Sequence, residues 1–222
     1  MRESYHAELD GVITDLVVMA RRGQTALKDS TVALLTADQA IAERVIADDI
    51  RIDEQAESLE SRAFNLLARQ SPVAGELRTV VAVLRMTFEL SRMGDLAAHI
   101  AKIARMRFPE RAVPADLEAN FARMAEIADE MISVACETLE GRNTEAALKL
   151  AERDEEMDTL RRDQFKLLLG KDWSHGIEAA VDVALLGRYY ERIADHAVAM
   201  GRRIVLVLTG EAPEGENWPS TY

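Results

Sequence analysis

The sequence predicts an all-α fold of two tandem, duplicated three-helix bundles. Three observations carry this. Apolar residues recur at helical spacing through nearly the whole chain, and no stretch alternates with period two. The core vocabulary is Ala, Leu, Ile, Val and Met with only 5% aromatics, and just five prolines and eleven glycines interrupt 222 residues. Finally, the chain repeats itself. Arg92-Met93-Gly94-Asp95 returns as Arg192-Ile193-Ala194-Asp195 at an offset of 100 residues. Asp49-x-x-x-Asp53 returns as Asp154-x-x-x-Asp158 at an offset of 105. A shorter loop between the fifth and sixth helices is expected to absorb the difference.

The elements follow in order. Tyr5 to Thr31 places Leu9, Val12, Ile13, Leu16, Met19, Ala20 and Leu27 on one stripe. Thr36-Ala37-Asp38 opens a second helix, striped by Ile41, Val45, Ile52, Ala56, Leu59, Ala63 and Leu66, which stops at Arg69-Gln70-Ser71-Pro72. Ser71 is expected to cap a third helix with Pro72 in its first turn, running to about Arg105. Residues 109–115 hold Pro109 and Pro114 and read as a linker between a first bundle, 1–108, and a second, 116–210. The second bundle comprises a helix from Asp116 to about Glu140, one from near Thr144 to Gly170, and one from about Gly176 to Leu208, capped by Ser174. Residues 211–222 lack periodicity and read as a mobile tail.

The bulk numbers exclude several classes. A formal net charge of −12 repels phosphate backbones, so direct DNA or RNA binding is not expected. The single cysteine, Cys136, precludes an intrachain disulfide and reads as a small buried helix residue. No apolar run reaches the ~18 residues of a membrane span, and the N-terminus has no signal-type apolar region. A cytoplasmic location is therefore expected, with membrane contact only through partners. No Ser/His/Asp or Cys/His arrangement and no glycine-rich phosphate loop is present, so neither catalytic nor nucleotide-binding residues are assigned. The sequence reads as a non-enzyme. Glu3-x-x-His6 occurs once, whereas a ferritin-type di-iron site requires that motif on two helices. His6, His99, His175 and His196 occupy no equivalent positions; His196 reads as a satisfied, half-buried histidine. Gly187 reads as a close helix contact.

The chemistry lies in the acids. Each half carries an Asp pair on its second helix and an Asp on its third; the second half adds Glu191, four residues before Asp195. At ~100° per residue, the first Asp of each pair sits roughly 60° and the second roughly 100° from Ile52 or Met157, at the edge of the apolar stripe. Glu191 and Asp195 sit roughly 160–200° from Ile193 and are expected to face outward. Clustered carboxylates repel unless a cation lies between them. An all-oxygen donor set suits Mg, Ca or Mn, and carboxylate bridging suits iron. A carboxylate-site metalloprotein or metal-dependent enzyme on a helical scaffold is the alternative reading.

With both copies laid out, the chain resembles the PhoU family of phosphate-signalling regulators. The resemblance rests on Gln70-Ser71-Pro72-Val73-Ala74-Gly75-Glu76-Leu77-Arg78, on Arg92-Met93-Gly94-Asp95-Leu96-Ala97, and on Glu191-Arg192-Ile193-Ala194-Asp195-His196-Ala197. Met1 to His6 and Leu185 to Tyr190 look most like actinobacterial members. The resemblance implies a cytoplasmic accessory protein of phosphate-specific transport and a negative regulator of phosphate uptake and of the phosphate-starvation response. Its implied partners are the ATPase subunit of the phosphate ABC transporter, a phosphate sensor histidine kinase and a second copy of itself. It also implies a divalent or trivalent metal ion (Mg, Mn, Fe or Zn). The ligands carried over are Asp49, Asp53 and Asp95 in the first half and Asp154, Asp158, Glu191 and Asp195 in the second. One departure stands out. Ser91 replaces the glutamate that the family places before the first Arg-x-Gly-Asp, leaving a neutral hydroxyl there. Glu89, two residues earlier, is an acid that could reach round in its place. Metal is therefore expected to prefer the second half.

Overall fold

The computed structural model describes residues 2–141 and 144–211. Six helices occupy them: α1 (Arg2–Thr36), α2 (Gln39–Gln70), α3 (Ala74–Arg107), α4 (Glu118–Gly141), α5 (Thr144–Leu168) and α6 (Gly176–Thr209). Residues 212–222, most of the expected tail, lie outside the described residues.

The loop between α5 and α6, residues 169–175, is longer than that between α2 and α3, 71–73, so the offset between the repeats lies in a shorter α5 (25 residues against 32 in α2) and not in a shorter loop. The helix starts also differ from the sequence reading. The Asp38 side chain accepts a hydrogen bond from the Ile41 backbone N–H at 2.9 Å, an N-cap for α2. Ser71, however, does not cap α3. It closes α2 in the left-handed region at φ 44°, and Val73 stands at the N-cap of α3 without a side-chain bond. Pro72 disfavours helical backbone at the residue before it, which puts Ser71 outside both helices. Likewise His175, not Ser174, is the N-cap residue of α6 and makes no capping bond. Pro114 and Asp116 lie ahead of α4, whose first residue is Glu118.

The halves lie side by side. Across the molecule the helices run in the order α2, α3, α6, α5, while α1 and α4 pack behind them and against each other. Helices α3 and α6 are antiparallel: Arg107 meets Glu178 and Asp182, His99 stacks on Tyr189, and Glu89 meets His196 and Arg203. Each third helix thus begins beside the end of the other, and the two halves are related by an approximate twofold across this pair.

One continuous apolar core fills both halves, from Tyr5, Leu16 and Leu27 through Met86 and Ile100 to Phe121, Tyr190 and Ile204. Polar bonds stitch the halves at depth. Gln24 donates to Asp129 Oδ1 at 3.0 Å and to Ser133 Oγ at 2.8 Å. The hydroxyls of Thr31 and the fully buried Tyr190 lie 2.8 Å apart. Cys136 is buried in the same core.

Candidate functional site

The acids collect at the two outer seams, α2 with α3 and α5 with α6. At the α5–α6 seam the helices approach closely because Gly187 has no side chain. A Cβ there would fall 2.1 Å from Gln164 Oε1 and 2.6 Å from Arg161 Nη1. Arg161 therefore reaches across from α5. Its Nε donates to Glu191 Oε2 at 2.7 Å, and its Nη1 donates to the Ala184 carbonyl at 3.0 Å. Arg188 holds the other Glu191 oxygen at 2.8 Å.

The seam's electrostatics follow from this packing. Asp154 is half-buried, and its carboxyl is pushed up to about 7, first by burial and then by Asp158, Asp195 and Glu191. Burial and Glu191 push the carboxyls of Asp158 and Asp195 up as well; Arg162 opposes the first shift, and Arg188, Arg192 and His196 oppose the second. All four predicted acids thus feel one another. Glu191 and Asp195 are half-buried rather than facing outward as the helical angle alone suggested. The angle locates a side chain on its own helix, whereas the proximity of α5 at Gly187 decides what covers it.

The α2–α3 seam repeats the plan with changed chemistry. Asp49 is half-buried and its carboxyl is raised by burial and by Asp95 and Asp53, with Lys102 and His99 pulling the other way. Ser91 Oγ donates to Asp53 Oδ1 at 3.1 Å, standing where Glu191 stands in the second half. Arg92 pairs with Asp95 at 2.9 Å. Glu89 does not reach this seam. It is buried on the opposite side of α3, accepting from His196 Nδ1 at 2.6 Å and from Arg203 Nη2 at 2.8 Å. Two residues along a helix turn the side chain by about 200°, which points Glu89 away from Ser91 and into the interface between halves.

Among the described residues, no three His, Cys, Asp or Glu side chains are grouped so as to hold a metal ion as they stand. In the second seam Glu191 is engaged by two arginines. Several features were not predicted from the sequence. Arg161, which with Arg188 neutralises Glu191, belongs to no motif, and only the close packing implied by Gly187 hinted at a partner reaching over. The Glu89–His196–Arg203 cluster spans more than 100 residues of chain. A groove of about 940 Å³ between α1 and α2, floored by Ile13, Val17, Val45 and Ile52, also left no sequence signal. Asp49 and Gly94 also line it.

Fold and seams together define a duplicated helical-bundle protein with a carboxylate cluster on each half. The PhoU domain model matches residues 16–104 and again 121–204. With the match repeated over most of its length, the chain belongs to the PhoU domain family. It is 42% identical over 221 residues, covering all of both chains, to phosphate-specific transport system accessory protein PhoU homolog 1 of Mycobacterium leprae. It is 43% identical to PhoU homolog 2 of Mycobacterium tuberculosis, over 96% of this chain and all of that one. The fold superposes on the crystal structure of PhoU from Pseudomonas aeruginosa with a TM-score of 0.85 at 22% identity, covering 93% of this chain and all of that one. The corresponding values for the PhoU structure from Streptococcus pneumoniae are 0.84 and 23%, covering 95% of this chain and 99% of that one. No helix among the described residues is long and apolar enough to cross a membrane.

Proposed function

We propose that the chain is an accessory protein of phosphate-specific transport that represses phosphate uptake and the phosphate-starvation response from the cytoplasm. It acts by binding, without turnover, as an adaptor between the transporter's ATPase subunit and a sensor histidine kinase. The observation that carries this reading is the end-to-end likeness to relatives bearing the accessory-protein name. The duplicated architecture supports it, since two related bundles give one rigid body two sets of exposed helix faces. Two experiments test it together. Deleting the gene is expected to derepress a phosphate-starvation reporter in phosphate-replete medium. Tagged protein is expected to co-purify with the ATPase subunit and with the kinase. A reporter that stays repressed, or recovery of neither partner, overturns the reading.

The second seam is further proposed to take a divalent cation through Asp154, Asp158 and Asp195, with Glu191 joining as Arg161 and Arg188 release it. What supports this is the donor chemistry: oxygen-only ligands whose mutual repulsion a cation relieves. The first seam, with Ser91 in place of the fourth carboxylate, binds more weakly. Calorimetric titration of Mn²⁺ is expected to show a large loss for Asp195→Asn, a smaller one for Asp95→Asn, and a gain at the first seam for Ser91→Glu. Equal losses from the two Asp variants would refute the asymmetry.

A further inference from the structure

The net charge of −12 is not spread evenly. Helices α3 and α6 carry ten basic residues against seven acidic ones, so the central pair is net positive and the remaining helices hold the negative charge. On α3 the basic groups interleave with exposed apolar ones. Leu77, Val81 and Phe88 are 42%, 37% and 52% exposed, and half-buried Leu84 completes a stripe with steps of four, three and four residues. Arg78, Arg85 and Arg92 are exposed along it. Arg92 lies 5.2 Å from the centre of the Phe88 ring and turns its charge to Asp95. Arg78 and Arg85 have no ion-pair partner among the described residues.

The matching stripe on α6 keeps the first three apolar positions and loses the two arginines beside them. Ile177, Val181 and Leu185 are exposed there. Glu178 stands at the position of Arg78 and is engaged by Arg107, while Leu185 stands at the position of Arg85. Duplication has preserved the apolar positions of Leu77, Val81 and Leu84 as Ile177, Val181 and Ala184, but Arg188 replaces Phe88, and neither Arg78 nor Arg85 has a basic counterpart.

We propose that this stripe of α3 docks an acidic amphipathic helix of a partner protein. The partner's apolar side chains would sit on Leu77, Val81 and Phe88, and its carboxylates on Arg78 and Arg85. From Leu77 to Phe88 the stripe is about 16 Å long at 1.5 Å per residue, or three turns of a docked helix. Charge selects this occupant. An anionic bilayer meets the molecule over a wide area and is repelled by the acidic α2 beside α3, whereas a single helix, about 10 Å wide, meets only the stripe. A second copy related by a twofold axis through this face would set Arg78 and Arg85 against themselves.

The inference rests on the adaptor reading only in supposing that the surface has a protein partner, and its test needs neither the transporter nor the kinase. The probe is a fluorescent synthetic helix of about four turns, with Leu along one face and Glu elsewhere, titrated with the full-length protein. Saturable binding that weakens at least tenfold from low to physiological salt is expected. The double variant Arg78→Glu/Arg85→Glu, and separately Val81→Asp, should each lose at least tenfold in affinity. Arg51→Glu/Lys171→Glu, the same charge change elsewhere on the exposed surface, should lose less than twofold. Failure of the wild type to bind, or equal losses from both double variants, overturns the proposal. So does wild-type protein that sediments as a dimer while Val81→Asp sediments as a monomer, which would make the face a self-interface. Binding to phosphatidylserine vesicles that only Arg78→Glu/Arg85→Glu abolishes would assign the face to lipid instead.

Discussion

Asp154 shows how far burial, with neighbours of the same sign, can displace one side chain from its solution behaviour. Its carboxyl is pushed up to about 7 in the fold, from an ordinary 3.8, because burial and three adjacent carboxylates disfavour the anion. The folded state therefore holds this proton more tightly than the unfolded state does. The resulting stabilisation is complete below about pH 4 and disappears as pH rises through about 7. Asn mimics the protonated side chain. In chelator, Asp154→Asn is thus expected to melt above wild type at pH 8, with the gap closing towards pH 4, as read by thermal scans across that range. A constant gap, or lower stability of the variant at pH 8, would contradict the electrostatic account. The acidic pattern was legible in the sequence at this scale, since Asp154, Asp158, Glu191 and Asp195 do act on one another. Arg188 was legible too, three residues before Glu191 on the same helix. Arg161 was not, because it lies on α5 in no repeat and is brought to Glu191 by tertiary packing.

At the scale of the helix pair, Gly187 decides the geometry of the second seam. Gln164 is almost wholly buried and donates to Asn120 Oδ1 at 2.6 Å, so it has no free space into which to retreat from an added methyl group. Gly187→Ala is therefore expected to push α5 and α6 apart, at a cost of about 2 kcal/mol. For a chain of this size that corresponds to a fall in Tm of roughly 4–8 °C. The Arg161–Glu191 contact should loosen with it, so Arg161→Ala should cost less in the Gly187→Ala background than in wild type. A double-mutant cycle measures this, and strict additivity would argue against the linkage. Element boundaries were legible to within a few residues wherever apolar stripes ran long. The starts of α3 and α6 were not, because their sequences offered Ser71 and Ser174 as caps while the backbone turned one or two residues later.

Over the whole molecule, the duplication was legible but the relation between its halves was not. Repeats within a sequence specify like bundles and leave open whether they share a core. The answer lies in contacts between residues far apart in the chain, of which Glu89 with His196 and Arg203 is one buried charged example. Glu89→Gln leaves Arg203 without its counter-charge inside the interface, an uncompensated loss of about 3 kcal/mol. Urea unfolding should show one transition, shifted to lower denaturant and not divided in two. Separation into two transitions would mean that the halves are energetically independent.

The continuous core from Tyr5 to Ile204 bears on how such a protein comes to be folded at all. Residues of α1 meet those of α4 and α6 only once most of the chain exists, as the pairing of Thr31 with Tyr190 illustrates. An emerging first half would expose the apolar faces of α1 and α3 that α4 and α6 later cover. The first half therefore depends on the second for part of its own interior. In the present chain, synthesis of the last helix completes the first.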